Sequence, residues 1–491
     1  MELKRALIGL DGLKAKGDLD VDIAGIESNS KNIKKDFMFV AIKGTETDGH
    51  NYIQNAIENG AKVIMVEEGC DLKKIKLPAN VTLVMAPNTR KALAITSSNF
   101  YENPSKKFKL IGITGTKGKT TTTFMIKEIL EKAGKKVGLI GTVATYINGN
   151  KEADSERTTP ESLELQKLFA KMVKEKVEYV VMEVSSQSLK LHRVDGCDFD
   201  IIAFTNFSED HISSKEHADL QEYFESKLKL FEMCKIGFTN ADDLYAAKIP
   251  GLFPGSNIST YGIDNFANIM ARDITVTNSY VDFRVKLTNR NERVKVDIPG
   301  RFSVYNALLA IAITKKLGID AEKIKEALAT VKVPGRSEMV ENEKELPIMI
   351  DYAHSPKSLE SILQAAKSYT HGKVICVFGC GGDRDKTKRP IMGEIAGRIA
   401  DFTFVTSDNP RTEEPETIVK EIETGIKKAT KDYKVIVDRT EAIKEAIKIG
   451  TKRDIIILAG KGHEPYQEIN GKKYPFDERT IVKEIINKKQ K

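Results

Sequence analysis

The chain has 491 residues, of which 41% are hydrophobic and 30% charged, with no long tract of one residue type. That length exceeds what one hydrophobic core covers, so several domains are expected, three being the central number, and disordered or fibrous classes are excluded. Its 77 basic and 70 acidic residues give a net charge of +7, but they are interleaved, so no nucleic-acid partner is expected; that would need clustered Lys and Arg beside stacking aromatics.

The five cysteines (Cys70, Cys197, Cys234, Cys376, Cys380) are odd in number, scattered and outside any C-x-x-C spacing. Reduced thiols and a cytoplasmic location follow. The opening segment is broken by Lys4, Arg5 and Asp11, and no apolar run approaches the roughly 18 residues needed to span a bilayer. Neither secretion nor membrane insertion is expected, and the basic tail Lys488, Lys489, Lys491 is expected to be a solvated helix end.

Strands alternate with helical segments over most of the length, which predicts α/β domains on largely parallel sheets. About 100 residues precede the first strong signal, and the polar stretch Tyr101 to Ser105 marks a joint before it. An apolar strand, Lys109 to Thr114, then leads into Gly115, Thr116, Lys117, Gly118, Lys119, Thr120 and Thr121. A helix is predicted from about Lys119, its apolar positions Met125, Ile126, Ile129, Leu130 and Ala133 keeping a 3.6 period and Gly134 standing where a left-handed residue ends it. Backbone N–H groups in such a loop cradle phosphates, the Lys neutralises their charge and a following hydroxyl takes up Mg²⁺. The spacing departs from the common phosphate loop, because Ile113 stands five residues before Gly118.

Further strands are predicted to end at Tyr179–Val184, Ile201–Thr205, Val374–Phe378, Phe402–Thr406 and Ile455–Ala459, each followed by polar or glycine-rich residues. Ligands gather beyond the carboxyl ends of parallel strands, so the chemistry is expected in these loops. A second joint falls at Val333-Pro334-Gly335, giving expected domains of 1–101, 102–333 and 334–491.

The loop Gly115 to Thr121 resembles that of the Mur ligases and their folylpolyglutamate-synthetase relatives, and later segments keep the resemblance in order. It implies three α/β domains: a UDP-substrate domain, a central ATP-binding parallel sheet of phosphate-loop type and a Rossmann-like carboxy-terminal amino-acid domain. Met182 to Ser186 and Thr205 to His211 resemble the family's metal segments, implying Glu183 and His211 as Mg²⁺ ligands with the Thr120 hydroxyl. Glu225 to Phe231 resembles the segment whose lysine is carbamylated, implying a carbamate on Lys227 at the metal. On its residues alone the same stretch is an amphipathic helix with exposed lysines. Asn306, in Pro299 to Asn306, together with Arg336 and Asp351, resembles the residues that hold the nucleotide.

The amino-terminal stretches Ser28 to Lys31 and Phe39 to His50 resemble the uridine-binding domain of the tripeptide-forming member. That implies substrate contacts from Ser28, Ser30, Thr45, Thr158, Thr159, Ser185 and Arg193, although Thr158 and Thr159 also suit a helix cap before Pro160. In the last third, Phe378 to Pro390, Ser407 to Pro415 and Gly460 to Glu464 resemble the same member. Asp408, Asn409, Pro410 and Arg411 resemble its motif for meso-diaminopimelate, whose second carboxylate suits a planar arginine fork. Arg389 is the expected second cation, with Gly460 and Glu464 near the ammonium.

The implied activity is ATP-dependent amide-bond formation in peptidoglycan precursor synthesis, with Mg²⁺, by an expected monomer acting on small molecules only. A lysine-adding relative, a folylpolyglutamate-type ligase and a non-catalytic nucleotide-binding regulator stay open as alternatives.

Overall fold

The computed structural model describes all residues except 45, 46, 74, 210, 211, 213–215 and 488–491, and the chain divides into two compact units, Met1–Asn268 and Ile269–Lys491. The expected α/β class holds in both. Among the described residues no helix is long and apolar enough to cross a membrane.

The first unit holds two sheets. Strands β1 (Lys14–Lys16), β2 (Gly25–Glu27), β3 (Phe37–Val40), β4 (Ala61–Glu67) and β5 (Thr82–Ala86) are ordered β1-β5-β4-β3-β2, with β1 antiparallel and the rest parallel. Successive residues of a strand point to opposite faces, and both faces here are covered. Met38, Val40, Val63 and Met65 enter one core while Phe39, Ala41, Ile64 and Val66 enter another.

The larger sheet contains β6 (Lys109–Thr114), β7 (Val137–Ile140), β8 (Ala144–Ile147), β9 (Asn150–Asp154), β10 (Tyr179–Glu183), β11 (Phe199–Phe204), β12 (Cys234–Asn240) and β13 (Ile258–Gly262). These run β13-β12-β11-β6-β10-β7-β8-β9. From β13 to β7 the pairing is parallel, and the hairpin β8 and β9 closes the edge antiparallel. Since β6 lies between β10 and β11, the loops after all three strands meet at one end of the sheet. The predicted helix is observed at Lys119–Lys132, and Gly134, at φ 76°, takes the left-handed turn that ends it.

The second unit begins with a three-stranded antiparallel sheet, Arg272–Val276, Val281–Lys286 and Asn291–Val296. Helices Arg301–Lys316 and Ala321–Leu328 follow it. A six-stranded sheet then runs in the order Glu338–Met339, Ile348–Asp351, Ile455–Ala459, Val374–Phe378, Phe402–Val405, Tyr433–Val435, parallel after its first pair. Its near-continuous apolar strands are buried on both faces, as in helix-covered parallel sheets. Helices Pro356–Tyr369, Lys388–Ile399 and Pro415–Ala429 cover one side, and Arg439–Ile449 and Glu478–Asn487 the other.

Candidate active site

The phosphate loop of the first unit is shaped by backbone geometry that only glycine tolerates. Gly115 sits at φ 135°, and a Cβ there would fall 2.0 Å from Thr205 Oγ1. Asn206 ties the loop from the side, its Oδ1 accepting from the N–H of Lys117 at 2.9 Å and its carbonyl from the N–H of Thr116 at 2.8 Å. Lys119 Nζ donates to the carbonyls of Gly115, at 2.9 Å, and Thr116, at 3.0 Å. The amine is thus folded over the loop in which phosphates would lie.

Glu183, 1% exposed at the end of β10, is the hub beside this loop. Its carboxylate accepts from the Thr120 hydroxyl at 3.0 Å, from the Thr142 N–H at 2.8 Å and from the Thr142 hydroxyl at 3.1 Å. Thr142 Oγ1 lies 3.1 Å from Thr158 Oγ1, and the Thr159 hydroxyl donates to the Glu183 carbonyl at 2.9 Å. Thr158 and Thr159 therefore join the hub, and the helix after them starts at Ser162 with Glu161 as its N-cap, so neither threonine is the cap. The donors are one carboxylate and several hydroxyls, a hard oxygen set that fits Mg²⁺. Among the described residues no three His, Cys, Asp or Glu side chains converge as a metal cluster. His211 and Thr45 lie outside the described residues.

Lys227 is 1% exposed, against the reading of its helix as one with solvated lysines. Its amine donates to the Gly115 carbonyl at 2.9 Å and lies 4.5 Å above the ring of Tyr223. Tyr223 OH is 3.2 Å from Thr116 Oγ1, and its ring touches His217, whose Nε2 is 2.9 Å from Ser186 Oγ. Neither Tyr223 nor His217 was identified from the sequence, because their partners lie far away along the chain.

A basic group borders the hub. The guanidinium of Arg193, 6% exposed, donates to the Thr159 carbonyl at 3.2 Å and pairs with Glu161 at 2.8 Å. Burial and then the neighbouring Arg157 and Arg90 lower its proton affinity, with Glu161 opposing them. Arg90 escaped the sequence reading; it also donates to the Lys43 carbonyl at 3.0 Å. Ser185 caps the short helix Ser186–Lys190. Ser30 is buried in a short 3-10 turn, and Ser28 is exposed beside it.

In the second unit, the loops after Ile348–Asp351, Val374–Phe378, Phe402–Val405 and Ile455–Ala459 gather at one end of the sheet. A Cβ on Gly335 would lie 2.1 Å from the His463 nitrogen, and the Arg336 guanidinium stacks 5.0 Å above the Tyr352 ring. Asp351 accepts from the N–H of Ser337 at 2.8 Å; burial raises the affinity of its carboxyl for a proton, and Arg336 opposes this. Asn306 is buried in the helix Arg301–Lys316.

Asn409 Nδ2 donates to Glu464 Oε2 at 2.8 Å, and a Cβ on Gly460 would meet Asp408 Oδ2 at 2.5 Å. Arg411 sits at φ 52°, with Nε on Glu468 at 3.2 Å and Nη1 on the Gly382 carbonyl at 2.8 Å. Its Nη2 donors have no partner among the described residues.

Arg389 departs from the expected role. It has no exposed surface, and its guanidinium is held by Glu413 through two bonds of 2.9 Å and by Glu421 at 2.7 Å. A cation so neutralised braces the loop instead of facing a substrate carboxylate. The exposed arginine of that loop is Arg384, whose Cγ and the Arg411 Nη1 both approach Gly381.

A glycine loop on a parallel sheet, with a buried carboxylate and hydroxyls at its flank, defines a phosphate-binding α/β protein. Family models match along the chain: the Mur ligase family catalytic domain at residues 22–101, the Mur ligase middle domain at 113–314 and the Mur ligase glutamate ligase domain at 335–462. The chain is 49% identical to the UDP-N-acetylmuramoyl-L-alanyl-D-glutamate--2,6-diaminopimelate ligase of Caldanaerobacter subterraneus subsp. tengcongensis, over 98% of this chain and 99% of that one. It is 47% identical to the protein of the same name from Clostridium botulinum, over 95% of each. A solved structure bearing that name matches with a TM-score of 0.73 and 28% identity, covering 100% of this chain and 99% of the other. The chain belongs to the Mur ligase family.

Proposed function

We propose that the protein is an ATP-dependent ligase that adds meso-2,6-diaminopimelate to UDP-MurNAc-L-Ala-D-Glu, releasing ADP and phosphate, in peptidoglycan precursor synthesis. The observation that carries this reading is the Glu183 hub, where a buried carboxylate gathers hydroxyls from the phosphate loop and from the Thr142 and Thr158 segments. The whole-length similarity to ligases of that name supports the amino acid chosen.

Residues 1–101 hold the UDP end, 102–333 the ATP and 334–491 the amino acid. Loop N–H groups and Lys119 bind the triphosphate, the amine exchanging its bonds to Gly115 and Thr116 for phosphate oxygens; Asn306, Arg336 and Asp351 hold the nucleoside end. Arg193, with Arg157 and Arg90, takes the pyrophosphate of the UDP substrate beside Ser30, Thr158, Thr159 and Ser185. Glu183, Thr120, His211 and the carbamate form of Lys227 would hold Mg²⁺, which would supply charge neutralisation for phosphoryl transfer.

The bond from the γ-phosphorus to ADP breaks as the D-glutamyl carboxylate takes the phosphoryl group. The ammonium of diaminopimelate gives up a proton to solvent and the amine so formed attacks the acyl phosphate; the nitrogen loses a second proton, an amide forms and phosphate leaves. Glu464, held by the Asn409 Nδ2, orients the amino acid's ammonium, and Arg411 with Arg384 receives its distal carboxylate. Catalysis is mainly positioning and charge stabilisation. The enzyme is a cytoplasmic monomer.

Phosphate release with ATP, UDP-MurNAc-L-Ala-D-Glu and either meso-diaminopimelate, lysine or ornithine tests this. Release dependent on diaminopimelate is expected. Preference for lysine would replace the amino acid, and ATP binding without release under any combination would replace the ligase by a regulator.

A further inference from the structure

Lys461 lies between Gly460 and Gly462, has no exposed surface, and is absent from the contacts assigned above. A wholly buried ammonium is costly unless it is bonded. Its Nζ donates to Asn409 Oδ1 at 3.0 Å, while the nearest Glu464 oxygen is 3.9 Å away. The rings of Tyr466 and Phe476 stand 5.8 and 5.7 Å from the amine. Asn409 Oδ1 also accepts from the N–H of Glu468 at 2.9 Å. With two donors converging on that oxygen, a flipped amide would face donor against donor, so Nδ2 must turn to Glu464, where it donates at 2.8 Å. Glu468 in turn accepts from Arg411 Nε at 3.2 Å.

We propose that Lys461 is a positioning residue for the amino-acid substrate: by locking the Asn409 amide it fixes the Nδ2 bond that holds the Glu464 carboxylate toward the incoming ammonium. This rests on the amino-acid site proposed above. Burial lowers the proton affinity of Lys461 and nearby Asp408 raises it, so its charge is tied to this pocket.

The test is steady-state phosphate release by the full chain with K461M, K461Q, N409A and the K461M/N409A double variant, each checked for folding by circular dichroism. K461M should raise the KM for diaminopimelate about tenfold, with the KM for ATP within about twofold, the scale of one charge-assisted bond. K461Q keeps a donor on a shorter stem and should lose about threefold; it provides the comparison if K461M does not fold. In the N409A background the Lys461 change should add nothing, because it acts through that amide. An unchanged KM for diaminopimelate in both Lys461 variants, or a full multiplicative loss in the double variant, overturns the role. Wild-type protein that ignores diaminopimelate overturns the underlying function instead.

Discussion

Three arginines near one loop do different work because of the carboxylates around them. Arg389 sits between Glu413 and Glu421, so R389A would leave Glu421 without this cation and Glu413 with Lys386 alone, 3.3 Å away. Breaking such a buried pair costs about 3–5 kcal/mol, and the low end applies because Glu421 is 34% exposed. R389A should therefore lower the thermal midpoint by several degrees, whereas R384A and R411A should leave it within a degree or two and raise the KM for diaminopimelate at least tenfold. Calorimetry beside phosphate-release kinetics separates the cases, and a reversed pattern would return Arg389 to the substrate. The sequence shows all three residues but not their partners: Glu413 and Glu421 are 24 and 32 positions from Arg389, and side-chain pairing at that range has no periodic signature.

Elements were far more legible than contacts. Strands Lys109–Thr114, Val374–Phe378 and Ile455–Ala459 occur at their expected bounds, because short apolar runs ended by glycine or polar residues have few other ways to fold. The hydroxyl network on Glu183 was only half visible, since Thr142 belongs to no motif and joins through the ordering of β7 and β10. Glycine marks where elements approach most closely, and two substitutions test it. A Cβ at Gly115 meets Thr205 Oγ1, so G115A should abolish phosphate release while circular dichroism stays unchanged; retained turnover would mean that the loop tolerates another path. Helix Pro415–Ala429 meets helix Lys388–Ile399 at Gly425, where a Cβ would lie 1.8 Å from the Pro390 carbonyl oxygen. G425A must push the helices apart, costing about 3 kcal/mol by overpacking, and denaturant melts should show it. Because Pro390 follows Arg389, which braces the loop that carries Arg384, the KM for diaminopimelate should also rise.

At the scale of the whole molecule, the sequence indicated α/β architecture and the order of the motifs; the division into compact units at residue 268 has no compositional mark. Charge is the property that acts on every part at once. The 77 basic residues stay charged on acidification while the 70 carboxylates are neutralised, so repulsion grows as pH falls. Glu413 shows the local form of the same linkage. Its bonds to Arg389, more than any other cause, lower its pKa from the ordinary 4.5 to about 2. A depressed carboxyl contributes stability that is fully present above 4.5 and is lost as pH falls toward 2. E413Q lacks that contribution at every pH. The midpoint of wild type should thus exceed that of E413Q by a constant margin from about pH 7 to 5, and the margin should narrow steadily below pH 4.5. Differential scanning fluorimetry across that range measures it. A gap as wide at pH 3 as at pH 7 would show that Glu413 acts through shape and hydrogen bonding, with its charge contributing nothing.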